Sequence, residues 1–301
     1  MSVSFIIPVY NKARYLGPVL DAVAVQKGDF EREFIFVDDG STDNSLQMVR
    51  DLTAGWKNVT IIEQENGGSA KATNTGIHAA KMEFIKFVDA DDLLHEQATA
   101  ILLGALKANP DACLAYALCQ YFNEGETMDL TQTLGVCEID RISEPLYASM
   151  QNSLFNPTQF LARTDAVKKS GGCDERVKHS QEYSLTLRLA RLGSFVKVNE
   201  TLAFLCRGEA GRHGASSSRQ LQRVSLALAY FLEDYPDTPL PLHRHAYKRA
   251  IGRAAKFDYR HRGGPKYSKL FWKNLLARIV PEKNYAAAIR ATLPVFDEKA
   301  G

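Results

Sequence analysis

Along the first part of the chain, short apolar runs alternate with stretches in which apolar residues recur every three or four positions. Residues 3–9 are apolar almost throughout and run into Asn11, which predicts a strand. Leu16, Val19, Leu20 and Val23 then set a helical period over residues 15–25. The pair of signals repeats. Residues 33–37 form a second run ending in Asp38-Asp39-Gly40-Ser41-Thr42-Asp43, where Ser41 or Thr42 is placed to cap a helix carrying Leu46, Val49 and Leu52. A third run, 59–63, ends at Asn66-Gly67-Gly68 ahead of a helical stretch at 70–80. A fourth, 83–88, meets Asp89-Ala90-Asp91-Asp92 ahead of a helix near 96–106. Strands alternating with helices predict an α/β fold with a mostly parallel sheet and helices on both faces. Ligands of such sheets bind beyond the carboxyl ends of the strands, so the two acidic clusters are expected to converge on one crevice.

The pattern changes twice further on. In the middle of the chain short strands at 112–116, 195–198 and 201–205 are separated by turns and one helix at 182–192. From Ser217 the spacing is helical, through Leu221, Val224, Leu228 and Phe231. Three prolines within 234–241 break it, and it resumes at 243–256 and 267–279. The expected organisation is one domain over 1–216, with a first half at 1–110 and a second at 111–216, followed by a helical basic C-terminal extension over 217–301.

Composition keeps the globular reading and adds an asymmetry. The 301 residues are 45% hydrophobic and 24% charged, as in ordinary soluble proteins. No apolar stretch approaches the roughly 18–20 residues that span a bilayer. The start MSVSFIIPVYN lacks the basic segment of a signal peptide, so a cytoplasmic location is expected. Five cysteines without metal-binding spacing suit reduced thiols and argue against structural zinc. Residues 217–301 carry 16 Lys/Arg against 7 Asp/Glu, whereas the other 216 residues carry 21 against 28. Such a tail suits a solvated helical surface or a peripheral contact with an anionic membrane, on the inner face of the plasma membrane, or with a polyanionic acceptor. Within it Phe271, Trp272, Leu275, Leu276, Ile279 and Val280 share one helical face, with Lys269, Lys273 and Arg278 off it. That face either packs on a core or lies on a membrane. Nucleic acid is not an expected partner, because basic residues are not interleaved with aromatics on a recognisable module.

The candidate chemistry sits at the strand ends. Side chains alternate along an extended segment, so Asp89 and Asp91 act as a pair while Asp92 points elsewhere. Such a pair suits Mn²⁺ or Mg²⁺, for which a protein supplies one or two ligands while substrate phosphates and water complete the shell. An acid-rich helix start gives the same residues without a metal. Asp38 and Asp39 can accept an N–H from a nucleobase, and Gly40 allows the tight turn, although an Asx-turn and helix cap also explain Asp43 and Ser41. Pro8, Tyr10 and Asn11 lie beside the same crevice. Pro8-Val9-Tyr10-Asn11-Lys12 is neither the glycine-rich loop of a sugar nucleotidylyltransferase nor the GxGxxG of a dinucleotide-binding dehydrogenase.

The strings SFIIPVYN, FVDDGSTDNS, and ENGG followed by NTGIHAAKMEFIKFVDADD, in that order over residues 1–95, resemble the family 2 glycosyltransferases. The resemblance continues more weakly to about residue 216. It implies an inverting enzyme with the A-type glycosyltransferase fold. Such an enzyme moves a sugar from a nucleoside-diphosphate donor, expected to be UDP-linked, to a hydroxyl of a glycan or lipid-linked acceptor in cell-surface polysaccharide or lipopolysaccharide synthesis. It makes Asp38 and Asp39 nucleoside contacts, Asp89 with Ala90 a ribose or diphosphate contact, and Asp91 the ligand of a Mn²⁺ or Mg²⁺ cofactor.

The same resemblance reaches further along the chain. Family members carry an acidic pair at a helix start, followed by an arginine in an apolar stretch. Ser180-Gln181-Glu182-Tyr183-Ser184-Leu185 with Arg188 resembles that segment and puts Glu182 at the base position, with Gln181 in place of the other acid. A first-turn glutamate favoured by the helix dipole accounts for Glu182 without catalysis. Thr73 stands where many relatives have an arginine, and Lys71 is either its substitute near the diphosphate or a solvated lysine. The segment from Arg207 to Gly214 resembles the loop that folds over the diphosphate, offering Arg207, Arg212 and His213 to phosphate oxygens and His213 to the metal. Asn156, Thr158 and Gln159 are polar candidates for acceptor contact, and a turn around Pro157 explains them as well. The alternative is a non-catalytic nucleotide-sugar or glycan-binding protein, of which Gln181 and Thr73 would be signs.

Overall fold

The opening apolar run forms β1 (Ser2–Val9), buried along nearly its whole length. Alternate residues serve opposite layers. Val3, Phe5 and Ile7 join a core that includes Leu16, Val19 and Val23 of α1 (Ala13–Ala24). Ile6, on the other face, lies so close to Gly76 that a Cβ there would stand 2.3 Å from the Ile6 Cγ2, which only glycine avoids. The alternation continues through β2 (Glu31–Asp38), α2 (Ser45–Thr53), β3 (Val59–Glu63), α3 (Ser69–Ala79) and β4 (Phe84–Phe87), close to the expected ranges. Ser41 and Thr42 do not cap α2. The helix starts two residues later, and the Asp43 carboxylate accepts the Ser45 N–H at 2.9 Å and the Ala13 N–H at 3.1 Å instead, tying α2 to α1.

The computed structural model describes residues 1–135, 137–177, 181–207, 216–277 and 279–297. They continue with β5 (Leu93–Leu94), α4 (Ala98–Ala108), β6 (Ala112–Phe122), β7 (Ile139–Ile142), α5 (Pro145–Gln151), β8 (Phe160–Arg163), α6 (Thr164–Lys169), α7 (Gln181–Leu189) and β9 (Ser194–Cys206). Among the described residues the sheet has nine strands in the order β3-β2-β1-β4-β8-β6-β9-β5, with β7 also on β9. It is parallel from β3 to β4 and mixed beyond. β8 is antiparallel to β4 and β6, and β9 is parallel to β6 but antiparallel to β5 and β7. The two late strands expected at 195–198 and 201–205 are one strand, and the interruption at Asn199-Glu200 is a bulge where the register with β6 shifts between Ala117 and Leu118. β5, β7 and β8 are two to four residues long and too short to carry a readable alternation.

The chain divides into two compact units, Met1–Pro145 with Phe155–Glu209, and Leu146–Leu154 with Ala210–Gly301. The first holds the whole sheet. The second is built on α8 (Ser216–Asp234), α9 (Leu240–His261), α10 (Lys269–Leu276) and α11 (Tyr285–Arg290). Its interior includes Ala254, Phe257 and Phe296, and a two-pronged Arg290–Glu233 ion pair joins α11 to α8. Among the described residues no helix is long and apolar enough to cross a membrane. Among the described residues no disulfide joins any of the five cysteines.

Candidate active site

Parallel register brings three strand tips to one edge. Asp38, the last residue of β2, stands beside Val9 at the end of β1, and the Asp39 N–H reaches the Val9 carbonyl at 2.8 Å. On the other side of β1, Val88 donates to the Ile6 carbonyl, so the β4 tip with Asp89 follows directly.

At the β2 tip the two acids differ. One oxygen of Asp38 accepts the Ser41 N–H at 3.1 Å, while Oδ1 is buried without a hydrogen-bond partner among the described residues. Buried polar atoms are rarely left unpaired, so this oxygen can take a further donor, from water or from a ligand. Asp39 accepts three hydrogen bonds, from Gln64 Nε2 at 2.7 Å and from the Gly67 and Gly68 N–H groups at 2.9 Å each. It fastens the loop that leads into α3. Lys71, exposed in the first turn of α3, lays its stem against Gly67, which has no room for a side chain there. Tyr10 is exposed at the end of β1. Asn11 takes the left-handed region (φ 51°), and its Oδ1 accepts N–H groups from Thr42 and Asp43, joining the β1 tip to the loop after β2.

The β4 tip is ionic. Asp91 pairs with the Lys12 ammonium. Ala90 is buried. Asp92 does point elsewhere, and it has a definite partner set: the Thr158 hydroxyl donates to Oδ2 at 2.8 Å and the Cys206 N–H to Oδ1 at 3.0 Å. Thr158 Oγ1 also accepts the Asp89 N–H at 3.0 Å, so one threonine braces the acidic tip at two points. Beneath it lies Lys86, fully buried in β4, whose ammonium donates to the carbonyls of Phe87, Thr158 and Phe160. Asn156 and Gln159 hold the turn around Pro157. They bond each other, and Gln159 also donates to the Ala117 carbonyl at 2.8 Å.

α7 carries Glu182 in its first turn to the same place. Asp89 and Glu182 both line a small cavity with Pro8, Thr73, Phe87, Val88 and Leu185. Burial there pushes the Asp89 carboxyl up to about 7, aided by the negative charges of Asp91 and Glu182 and opposed by Lys12 and Lys86. Burial also raises Glu182, to about 6, with its own and the Tyr183 N–H working against the rise. Asp92 is raised by burial and by its acidic neighbours, and burial lowers Lys86 to about 7. Among these groups four carboxyls stand with two ammoniums.

Among the described residues no group of three or more His, Cys, Asp or Glu side chains is set to enclose a metal ion. The donor set fits a divalent cation that takes one or two carboxylates and completes its shell from phosphates and water. Arg207 follows β9. Its N–H bonds the Phe122 carbonyl at 2.9 Å and its guanidinium lies 5.6 Å from the centre of the Tyr121 ring, one residue from the Cys206 that Asp92 holds. Arg212 and His213 lie outside the described residues. Sequence reasoning missed Lys12, Lys86 and the bracing role of Thr158. A single charge inside the apolar strand Phe84-Ile85-Lys86-Phe87 was the available signal for one of them.

A family model described as "Glycosyl transferase family 2" matches residues 4–171. The chain belongs to that family, and it spans about a fifth of the length of the first curated relatives it matches. Residues of this chain are 28% identical over 198 positions to a chondroitin synthase of Pasteurella multocida, covering 66% of this chain and 20% of the synthase. An uncharacterized glycosyltransferase of Haemophilus influenzae is 26% identical over 239 residues, 78% of this chain and 77% of that one. Among solved structures, the TarS 1–349 fragment of S. aureus with UDP-GlcNAc superposes with a TM-score of 0.61 at 18% identity, over 98% of this chain and 91% of that one. The mannosyltransferase PcManGT of Pyrobaculum calidifontis, with GDP-Man and Mn²⁺, gives 0.58 at 18% identity, over 98% and 85%. The fold is that of the A-type glycosyltransferases.

Proposed function

We propose that this chain moves a sugar from a nucleoside-diphosphate sugar, UDP-linked, to a hydroxyl of a glycan or lipid-linked acceptor, with inversion, in the cytoplasmic synthesis of a cell-surface polysaccharide or lipopolysaccharide. The observation that carries this reading is the meeting of Asp89 and Glu182 on one cavity at the strand tips. Relatives named as polysaccharide synthases and fold neighbours solved with UDP-GlcNAc and GDP-Man support the substrate class. In this reading residues 1–110 hold the donor and 111–216 shape the acceptor side.

The roles follow from the surroundings of each group. Asp38 offers its unpaired oxygen to an N–H of the base, and Asp39 shapes the loop beside it, with Pro8, Tyr10 and Asn11 bordering the nucleoside. Asp91, with Asp89 and Ala90 beside it, holds Mn²⁺ or Mg²⁺. Bound there, the ion neutralises charge that develops on the departing diphosphate. Lys12, Lys71 and Arg207 add positive charge for the same phosphates, and Arg212 and His213 extend that set. Glu182 takes the proton of the attacking acceptor hydroxyl while the hydroxyl oxygen bonds the anomeric carbon and the bond from that carbon to the diphosphate breaks. With its carboxyl raised to about 6, Glu182 is unprotonated at neutral pH and still a better base than an ordinary glutamate.

A thermal-shift screen of nucleotide sugars with and without Mn²⁺, followed by transfer assays on wild type and Glu182→Gln, tests the reading. Metal-dependent stabilisation by one donor and loss of turnover in the variant are the expected results. Binding without turnover in the wild type would leave a nucleotide-sugar-binding protein. Equal rates in the two proteins would remove Glu182 from the chemistry.

A further inference from the structure

Among the described residues nothing buries the apolar face of α10. No residue within the helix is buried. Its inner side is fixed by Leu270, which touches the Ala254, Phe257 and Phe296 cluster, and by Ala277 just beyond the helix end. Outward stand Tyr267, Trp272, Leu275, Leu276, Ile279 and Val280, each between 45% and 77% exposed. Trp272, Leu275, Leu276 and Ile279 fall at helical spacing and make one stripe. Tyr267, Phe271 and Trp272 cluster edge to face at its start, with centroids 5.1 Å and 5.4 Å apart. Proteins rarely leave a contiguous apolar patch of this kind in water without a partner for it.

Charge selects the partner. From residue 259 to 281 the sequence holds six Lys/Arg and no Asp/Glu. Lys266, Lys269 and Lys273 are exposed around the stripe. A second copy of this face would bring one positive ring against another, which opposes self-association. An anionic bilayer satisfies both features. Its headgroups meet the lysines, its interfacial zone suits Tyr267 and Trp272, and the acyl boundary takes Leu275, Leu276 and Ile279. We propose that this face is a membrane-docking surface that lays α10 in the interface of an anionic phospholipid bilayer without crossing it.

The chain has two tryptophans, Trp56 and Trp272, so in a Trp56→Phe background the emission of Trp272 reports its surroundings directly. Phosphatidylglycerol-containing vesicles are expected to shift that emission to the blue, and brominated acyl chains to quench it. Pure phosphatidylcholine vesicles are expected to do far less. Replacing Lys266, Lys269 and Lys273 together by Gln is expected to weaken partition on the order of a hundredfold, because each cation near such a surface contributes about fivefold. Raising the salt acts in the same direction. A Trp272→Ala/Ile279→Ala variant, scored by vesicle sedimentation, is expected to lose most binding with an unchanged melting temperature, since both side chains are exposed. Equal partition to anionic and neutral vesicles would overturn the proposal. So would an absence of partition, or a concentration-dependent dimer in sedimentation velocity that Leu275→Glu abolishes.

Discussion

Two strand tips of the same sheet carry acidic clusters, and their surroundings are opposite in kind. Asp38 and Asp39, at the end of β2, are held by neutral donors: the N–H groups of Ser41, Gly67 and Gly68 and the amide of Gln64. Asp89 to Asp92, beyond β4, stand among ions, with Lys12 on Asp91, Lys86 beneath and Glu182 across the cavity. Neutral donors aim a carboxylate without altering the local charge, which suits reading a hydrogen-bond pattern. An ionic cluster responds to a new cation and to charge that appears during a reaction. In the proposed function aspartate therefore serves as a recognition group at one tip and an electrostatic group at the other, and the surroundings make the difference.

If that contrast holds, the largest loss belongs to the ionic tip. Asp91→Asn is expected to lower transfer about a thousandfold, roughly 4 kcal/mol of transition-state stabilisation. It should also abolish the dependence of donor-induced thermal stabilisation on Mn²⁺. Rates within a factor of a few of wild type would reduce the cluster to an acid-rich helix start.

Glu182→Gln is expected to lower kcat about a hundredfold to ten-thousandfold with little change in donor affinity. The working form of this base is the unprotonated carboxylate, and burial makes the group hold its proton to higher pH than usual. Wild-type kcat/KM should therefore fall as pH drops through about 6, and not near the ordinary 4.5. An acidic limb at the lower value would place the base on another residue.

Lys86→Met tests the support under the ionic tip. The substitution keeps the volume but leaves the carbonyls of Phe87, Thr158 and Phe160 without their donor. A loss of about 2–4 kcal/mol in urea unfolding is expected, with a smaller fall in rate transmitted through Thr158. Unchanged stability would show that the buried ammonium costs as much as its hydrogen bonds contribute.

What the sequence could show follows the same division. β1 to β3 and the helices around them are long enough to display a period, the short apolar run of β4 ends in an acidic turn, and the other turns carry acids and glycines, so the tips were legible in order. The remainder of the sheet was not. β8 offers four residues, its antiparallel placement depends on partners far away in the chain, and the bulge in β9 reads locally as two strands. Within the site, Asp38, Asp39, Asp89, Asp91 and Glu182 were visible as residue types beside turns. Lys12, Lys86 and Thr158 act through contacts 66 to 79 positions away, with Asp91, with the Phe160 and Thr158 carbonyls, and with Asp92 and Asp89. No local pattern encodes such contacts.

The finest test lies inside the neutral tip, where adjacent aspartates are expected to respond with opposite sign. Asp38 Oδ1 is buried and unpaired in the free protein, so Asp38→Asn removes a carboxylate whose one oxygen gains nothing from folding. The folded state should become more stable by about 0.5–1 kcal/mol, because a buried charge with an unmatched oxygen costs more than a neutral amide in the same place. Donor KM should rise about fivefold to tenfold, the difference between a charge-assisted and a neutral hydrogen bond, with kcat nearly unchanged. At Asp39 the same change sets an amide group against the Gly67 and Gly68 N–H donors. A loss of about 1–3 kcal/mol is expected there, together with a donor KM that rises only because the loop loosens. Paired unfolding curves and donor titrations of the two variants decide the matter. Destabilisation by both would mean that the Asp38 oxygen is not waiting for a ligand, and the base-recognition role would pass to the loop that Asp39 holds.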